Sequence, residues 1–195
     1  MSIPTIARTA ETSVPVIDAL AARWSTRAFH AETPIDEDKL AAALEAARWA
    51  PSAFNGQPWR FAVARRGSEL HQGIAATLSG FNQIWAPPAA ALIVAIAEME
   101  SAEGRANTHA IYDLGQAVAN LAVQAHHDGL FVHQMSGFDA AAAAGLLGLE
   151  DRFVPFTVIA LGELGDASLL PENLRERETA PRERRPLSET VVADA

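Results

Sequence analysis

Arg23, Ser25 and Arg27 stand two residues apart in the stretch Arg23-Trp24-Ser25-Thr26-Arg27-Ala28-Phe29. In an extended chain side chains alternate sides, so this spacing puts two guanidiniums and a hydroxyl on one face. Such a set can cradle a phosphate, because each guanidinium donates through a planar fork that matches anionic oxygens. Taken alone, the pattern is a weak signal, and a basic helix end on a solvated surface is the plainer reading. A second candidate is the loop Pro51-Ser52-Ala53-Phe54-Asn55-Gly56-Gln57-Pro58-Trp59. Asn55 and Gln57 each pair donors with an acceptor, which is what reading the edge of a heteroaromatic ring requires. Gly56 permits close backbone approach. The plainer alternative is a rigid turn, and Trp59 reads as core in either case.

Other side chains point less clearly to chemistry. His126 and His127 are adjacent on a helical segment and face different directions. His30, His71, His109 and His133 show no metal-ligand spacing, so no metal site is expected. Asp113 lies among apolar residues of a long helical segment, where a structural hydrogen bond explains it better than catalysis. Phe54 and Phe81 suit either a substrate face or core packing, and Phe131 reads as strand core. The chain has no cysteine, which removes disulfides, thiolate ligands and a cysteine nucleophile. It has no Gly-x-Ser-x-Gly elbow and no glycine-rich dinucleotide fingerprint.

These residues must be positioned by alternating helices and strands. Spacing predicts helices over 15–23 and 39–49, the second capped by Asp36 and ended by Pro51. A strand over 59–64 follows, then a helix over 69–78 interrupted at Gly80-Phe81-Asn82. The apolar run 89–97 reads as a fully buried strand. The longest helix is expected over 106–128, stopped by Gly129. A strand over 130–133, a helix over 140–147 and a buried strand over 153–161 complete the series, with Pro155 near the start of the last. Residues 1–13 are expected to be poorly ordered. Residues 165–187 hold three prolines and many charges, so they are expected to be disordered or to lie along another surface. The order implies an α+β or α/β sandwich with a central sheet, built by one domain over 1–195.

Composition agrees. In 195 residues, 49% are hydrophobic and 20% charged, enough for a sizeable core. The net charge of −9 argues against a nucleic-acid or anionic-membrane partner and makes the arginines near residue 25 local exceptions. With no signal core and no apolar run long enough to span a bilayer, a cytoplasmic protein is expected.

The blocks Arg-x-Ser-x-Arg-x-Phe, then Ala-Arg-Trp-Ala-Pro-Ser, then Asn-x-Gln-Pro-Trp resemble, in order, those of the nitroreductase family of FMN-dependent oxidoreductases. Tyr112–Leu121 is similar to that family's central-helix signature, Met135–Asp139 to its flavin-facing turn, and Arg182–Leu187 to its basic closing segment. The resemblance spans residues 23–187. It implies a mostly antiparallel sheet flanked by helices and a C-terminal arm over 165–195 that wraps a homodimer partner. It also implies FMN held along Arg23, Trp24, Ser25, Thr26 and Arg27, with Arg23 and Ser25 at the phosphate and ribityl chain and Arg27 near the N1/O2 side of the ring. Arg182 and Arg184 would complete the phosphate clamp. Asn82 would meet the pyrimidine edge, and Gln134, Met135, Ser136 and Gly137 would face the flavin, the backbone of the last two near N5. Pro51, Ser52, Ala53, Asn55 and Gln57 would reach the flavin of the other subunit. Several relatives carry a lysine where this chain has Trp85, which leaves Arg27 as the cation near O2.

The activity implied is reduction of nitroaromatics, quinones or similar small acceptors with NADH or NADPH, in two half-reactions over one flavin. No protein nucleophile is then needed, in keeping with the missing motifs. The alternative is a flavoprotein of the same fold with another role, such as dehalogenation, flavin handling or non-reductive flavin binding. Segment 80–110 is expected to cover the flavin.

Overall fold

The computed structural model describes residues 8–193. Four strands form one sheet in the order β1-β2-β4-β3, where β1 is Trp59–Arg65, β2 Ala91–Glu98, β3 Phe131–Met135 and β4 Phe153–Gly162. Every pairing is antiparallel. The two central strands are the apolar runs, as two-sided burial demands. Along β2, Ala91, Ile93, Ala95 and Ala97 enter one core while Leu92, Val94 and Ile96 enter the other. The alternation of side chains along a strand divides the molecule into three layers: this α+β sandwich has helices on both faces of the sheet.

One face carries α2 (Glu37–Arg48) and α5 (Ala110–His127). The Asp36 carboxylate caps α2 by accepting from Asp38 N and Lys39 N. Helix α5 buries Ala110, Leu114, Ala117, Val118 and Leu121, a stripe at helical spacing. It ends at Gly129, whose φ of 82° takes the left-handed conformation that glycine tolerates. The other face carries α3 (Glu69–Thr77), α4 (Asn82–Trp85) and α6 (Ala140–Leu147). At Ala95/Ile96 the register with β4 shifts, so that Ile96 pairs with Pro155 and Phe156 is the extra residue. A bulge there accommodates a proline that cannot donate to the ladder and turns Phe156 outward.

Both chain ends depart from expectation. The helix read over 15–23 is only α1 (Asp18–Ala22). Residues 1–7 and 194–195, part of the segments expected to be poorly ordered or to form the arm, lie outside the described residues. The remainder of the N-terminal segment is engaged: Ala10 N donates to Ala21 O at 2.8 Å. The tail also packs on its own chain as far as Arg182. Its helix α7 (Glu172–Thr179) buries Leu174 in the second core and Glu178 beside it. One leucine and one carboxylate in eight residues are too sparse to register as an amphipathic pattern, so from sequence the segment reads as disordered or as lying along another surface. Only the last stretch, with α8 (Leu187–Thr190), is exposed throughout. Among the described residues no helix is long and apolar enough to cross a membrane.

Candidate functional site

Between α1 and α2 the chain runs extended, and a tight antiparallel contact fixes it against the end of the sheet. His30 N donates to Glu163 O, Gly165 N donates to Ala28 O, and Phe29 pairs with Leu164. A Cβ on Gly165 would lie 2.5 Å from the carbonyl of Phe29, so only glycine allows this approach. The extended path gives residues 23–27 the alternation that the spacing predicts. Arg23, Ser25 and Arg27 line a cavity of about 380 Å³, and Trp24 forms part of its wall. Thr26 does not face it: its side chain is fully buried and turned to Glu178.

Arg182 and Arg184, more than 150 residues later, reach the same cavity. So do Arg8, Arg177 and His133, which the spacing of the sequence does not mark. Six guanidiniums thus converge, and among the described residues none of them forms an ion pair. The cost of this crowding is visible. Burial, then the charge of Arg184, lowers the Arg23 pKa. Burial also lowers that of Arg27, against the pull of Glu178, and burial followed by Arg23 lowers that of Arg182. Part of Arg182 is structural: its Nη1 donates to Arg8 O at 2.6 Å and Ala21 O at 2.5 Å, which ties both chain ends together.

His133 lies in β3 against Trp85, with ring centroids 4.3 Å apart. Its Nδ1 is 2.8 Å from Thr26 O. A carbonyl only accepts, so Nδ1 holds the proton and Nε2 is left as an acceptor. Burial, followed by the charges of Arg27 and Arg23, pushes its pKa from 6.5 down to about 4, against the raising effect of the Thr26 carbonyl and Glu178. The ring is therefore neutral among cations at neutral pH. Trp85, where lysine stood as the alternative, is buried, and the Arg27 guanidinium lies 6.0 Å from its ring centroid.

The remaining candidates fall into separate places. Asn82 and Gly137, 55 residues apart, meet directly: Asn82 Nδ2 donates to Gly137 O at 3.1 Å. A Cβ on Gly137 would come within 2.8 Å of that nitrogen. Gln134 and Ser136 line a second cavity of about 280 Å³ with Leu114, Gly115, Val118 and Phe156. Met135 lies between them in sequence but points to the other side of the sheet, into the core. The strand period separates it from its neighbours.

The loop with Pro51, Ser52, Ala53, Asn55 and Gln57 lines neither cavity of its own chain. It is nonetheless held firmly. Asp113, 3% exposed, accepts from Ala53 N at 3.0 Å, and Ser52 Oγ accepts from Gln57 N at 3.0 Å. The structural role of Asp113 is thus to anchor this loop on α5. Phe54, Asn55 and Gln57 all have positive φ, and among the described residues they are the only non-glycines that do. Strain gathered in one short loop is characteristic of a binding segment. The Phe54 ring at its tip is fully exposed, as Phe81 partly is, whereas Phe131 packs edge-on against Trp24. Among the described residues no cluster of His, Asp or Glu could hold a metal ion.

Comparison with known proteins now bears on this arrangement. The family model described as the nitroreductase family matches residues 20–163. The "uncharacterized 15.4 kDa protein in ask 5′region" of Mycolicibacterium smegmatis is 38% identical over 139 residues, covering 68% of this chain and 93% of its own. The "NADH dehydrogenase" of Thermus thermophilus is 35% identical over 94 residues, 47% of this chain and 44% of its own. A solved structure described as an oxidoreductase containing FMN superimposes with a TM-score of 0.88 at 36% identity, covering 93% of each chain. Its whole-chain agreement matches the three-layer sandwich, and the family match contains the extended stretch, the strained loop and the sheet. The chain belongs to the nitroreductase family.

Proposed function

We propose that the protein is a flavin oxidoreductase that holds FMN with its phosphate in the arginine-lined cavity. The observation that carries this reading is the set of six guanidiniums, unneutralised by any carboxylate partner among the described residues, in a chain of net charge −9. A phosphate dianion fits that donor set. It would relieve the mutual depression of the arginine pKa values, and the Ser25 hydroxyl adds a neutral donor.

When bound, FMN supplies two-electron chemistry, taking a hydride from NADH or NADPH and giving it in a second half-reaction to a nitroaromatic, a quinone or a similar acceptor. The chain's own residues bind and orient. Arg23, Ser25 and Arg184 anchor the phosphate. Arg27 is suited to counter negative charge on the reduced ring system. Asn82, held by the Gly137 carbonyl, offers its amide to the pyrimidine edge, and the backbone at Ser136 and Gly137 serves N5. The loop 51–57, which lines neither of the two cavities described, completes the site of a second copy in this reading, and the working unit is a homodimer. The exposed residues beyond Arg182 form the arm that lies on the partner.

The test is spectral. The purified protein is expected to be yellow, to bleach anaerobically on addition of NADH or NADPH, and to regain colour with a nitroaromatic or quinone. A colourless protein that takes up no FMN overturns the reading. A yellow protein that neither nicotinamide bleaches has a non-reductive role instead.

A further inference from the structure

Glu178 is 2% exposed, and no charged group neutralises it within ion-pair distance among the described residues. Burying a carboxylate this way is costly unless its oxygens are hydrogen-bonded. Here both are. Oε1 accepts from Trp24 Nε1 at 2.9 Å and from Thr26 Oγ1 at 2.6 Å. Oε2 accepts from the backbone N–H of Arg27 at 2.8 Å. All three donors are neutral, and all belong to the stretch that presents Arg23, Ser25 and Arg27.

We infer that Glu178 is the positioning residue of the anion cavity: it grips the inward side of residues 24–27 so that the alternate side chains hold a phosphate together. Three features make this more than packing. The gripped groups are the Trp24 indole N–H, the Thr26 hydroxyl and the Arg27 backbone N–H, which lie between or beside the cavity-lining Arg23, Ser25 and Arg27, so holding them fixes where those three side chains point. Because both oxygens are occupied by neutral donors, the carboxylate does not quench the guanidiniums as a salt bridge would. In addition, Glu178 follows Arg177 and precedes Arg182 and Arg184, which line the same cavity. Helix α7 therefore carries Arg177 and the arginines that follow it to the stretch that bears Arg23 and Arg27.

This inference rests on the proposal that the cavity takes the FMN phosphate, and the ratio of FMN to riboflavin affinity separates the two. Riboflavin has the same ring and ribityl chain without the phosphate. Fluorescence titrations of flavin-free protein with each would be made on the wild type, Glu178→Gln and Thr26→Val, with the thermal midpoint of each protein followed in parallel. A glutamine can still accept from Trp24 and Thr26 but turns an amide donor toward the Arg27 N–H. FMN affinity is expected to fall about tenfold in Glu178→Gln while riboflavin affinity holds within about twofold. Thr26→Val, which at constant shape removes one of the three bonds to Glu178 together with the acceptor of the Ala28 N–H, is expected to lose about threefold for FMN alone. If Glu178→Gln does not fold, Thr26→Val decides. An unchanged FMN-to-riboflavin ratio in the folded variants, or a parallel fall of both affinities, overturns the role of Glu178 alone. A wild-type protein that binds riboflavin as tightly as FMN overturns the phosphate reading and this inference with it.

Discussion

At the scale of single residues, the cavity is governed by charge that is crowded but not neutralised. Arg23 is half-buried beside Arg184, and it donates to Ser25 Oγ at 3.4 Å. Arg23→Ala is expected to weaken FMN binding at least about tenfold, the worth of one charge-assisted contact, in a fluorescence titration. Full flavin occupancy in that variant would contradict the assignment. His133 gives a pH signature. Its pKa falls from 6.5 unfolded to about 4 folded, so between those values the unfolded chain binds the extra proton. Its contribution to stability is complete above pH 6.5 and is lost as the pH falls toward 4, by about 3 kcal/mol over the window. Chemical denaturation across that range should show the slope, and His133→Asn should flatten it. A variant as pH-sensitive as the wild type would place the titration elsewhere.

At the scale of elements, the loop 51–57, with left-handed residues at Phe54, Asn55 and Gln57, is anchored at Ala53 by a carboxylate from a helix. Asp113→Ala leaves the Ala53 N–H without its acceptor and is expected to cost roughly 1–3 kcal/mol in denaturant unfolding. Asp113→Asn should cost less, because the amide oxygen can still accept. Equal losses in the two variants would mean that the hydrogen bond is not what matters. The core elements were legible because their signals are local. The buried run of β2, the cap at Asp36 and the stop at Gly129 each lie within a few residues of the feature they predict. The bulge at Phe156 and helix α7 were not legible. The first depends on how Pro155 meets β2, and the second on a core built by other segments.

At the scale of the whole molecule, the strained, exposed loop 51–57 lines neither of the two cavities described above. If that loop completes a second copy's site, Phe54 carries part of the contact. Phe54→Gly relieves a left-handed residue, worth about 1 kcal/mol to the isolated fold, while removing the exposed ring. The expected outcome is a dimer that dissociates at least about tenfold more readily despite an unstrained loop, measured by sedimentation equilibrium on dilution. Unchanged association would place the dimer contact away from residues 51–57.

The sequence by itself determined the alternation of helices and buried strands, the clustering of anion-binding types at residues 23–27, and the match of ordered blocks to one family. The first two follow from spacing, which the backbone's fixed periods convert directly into faces; the third rests on the resemblance of residue types in order. Tertiary structure alone decided that Arg8, Arg177 and His133 join that cluster, that Thr26 and Met135 turn away from the two cavities described, and that Glu178 holds the arginine-bearing stretch. Those outcomes depend on the Phe29–Leu164 pairing and on α7 docking into a core made by strands far away in sequence. No local pattern encodes such meetings, because a buried carboxylate and a solvated one are the same letter until the chain closes around one of them.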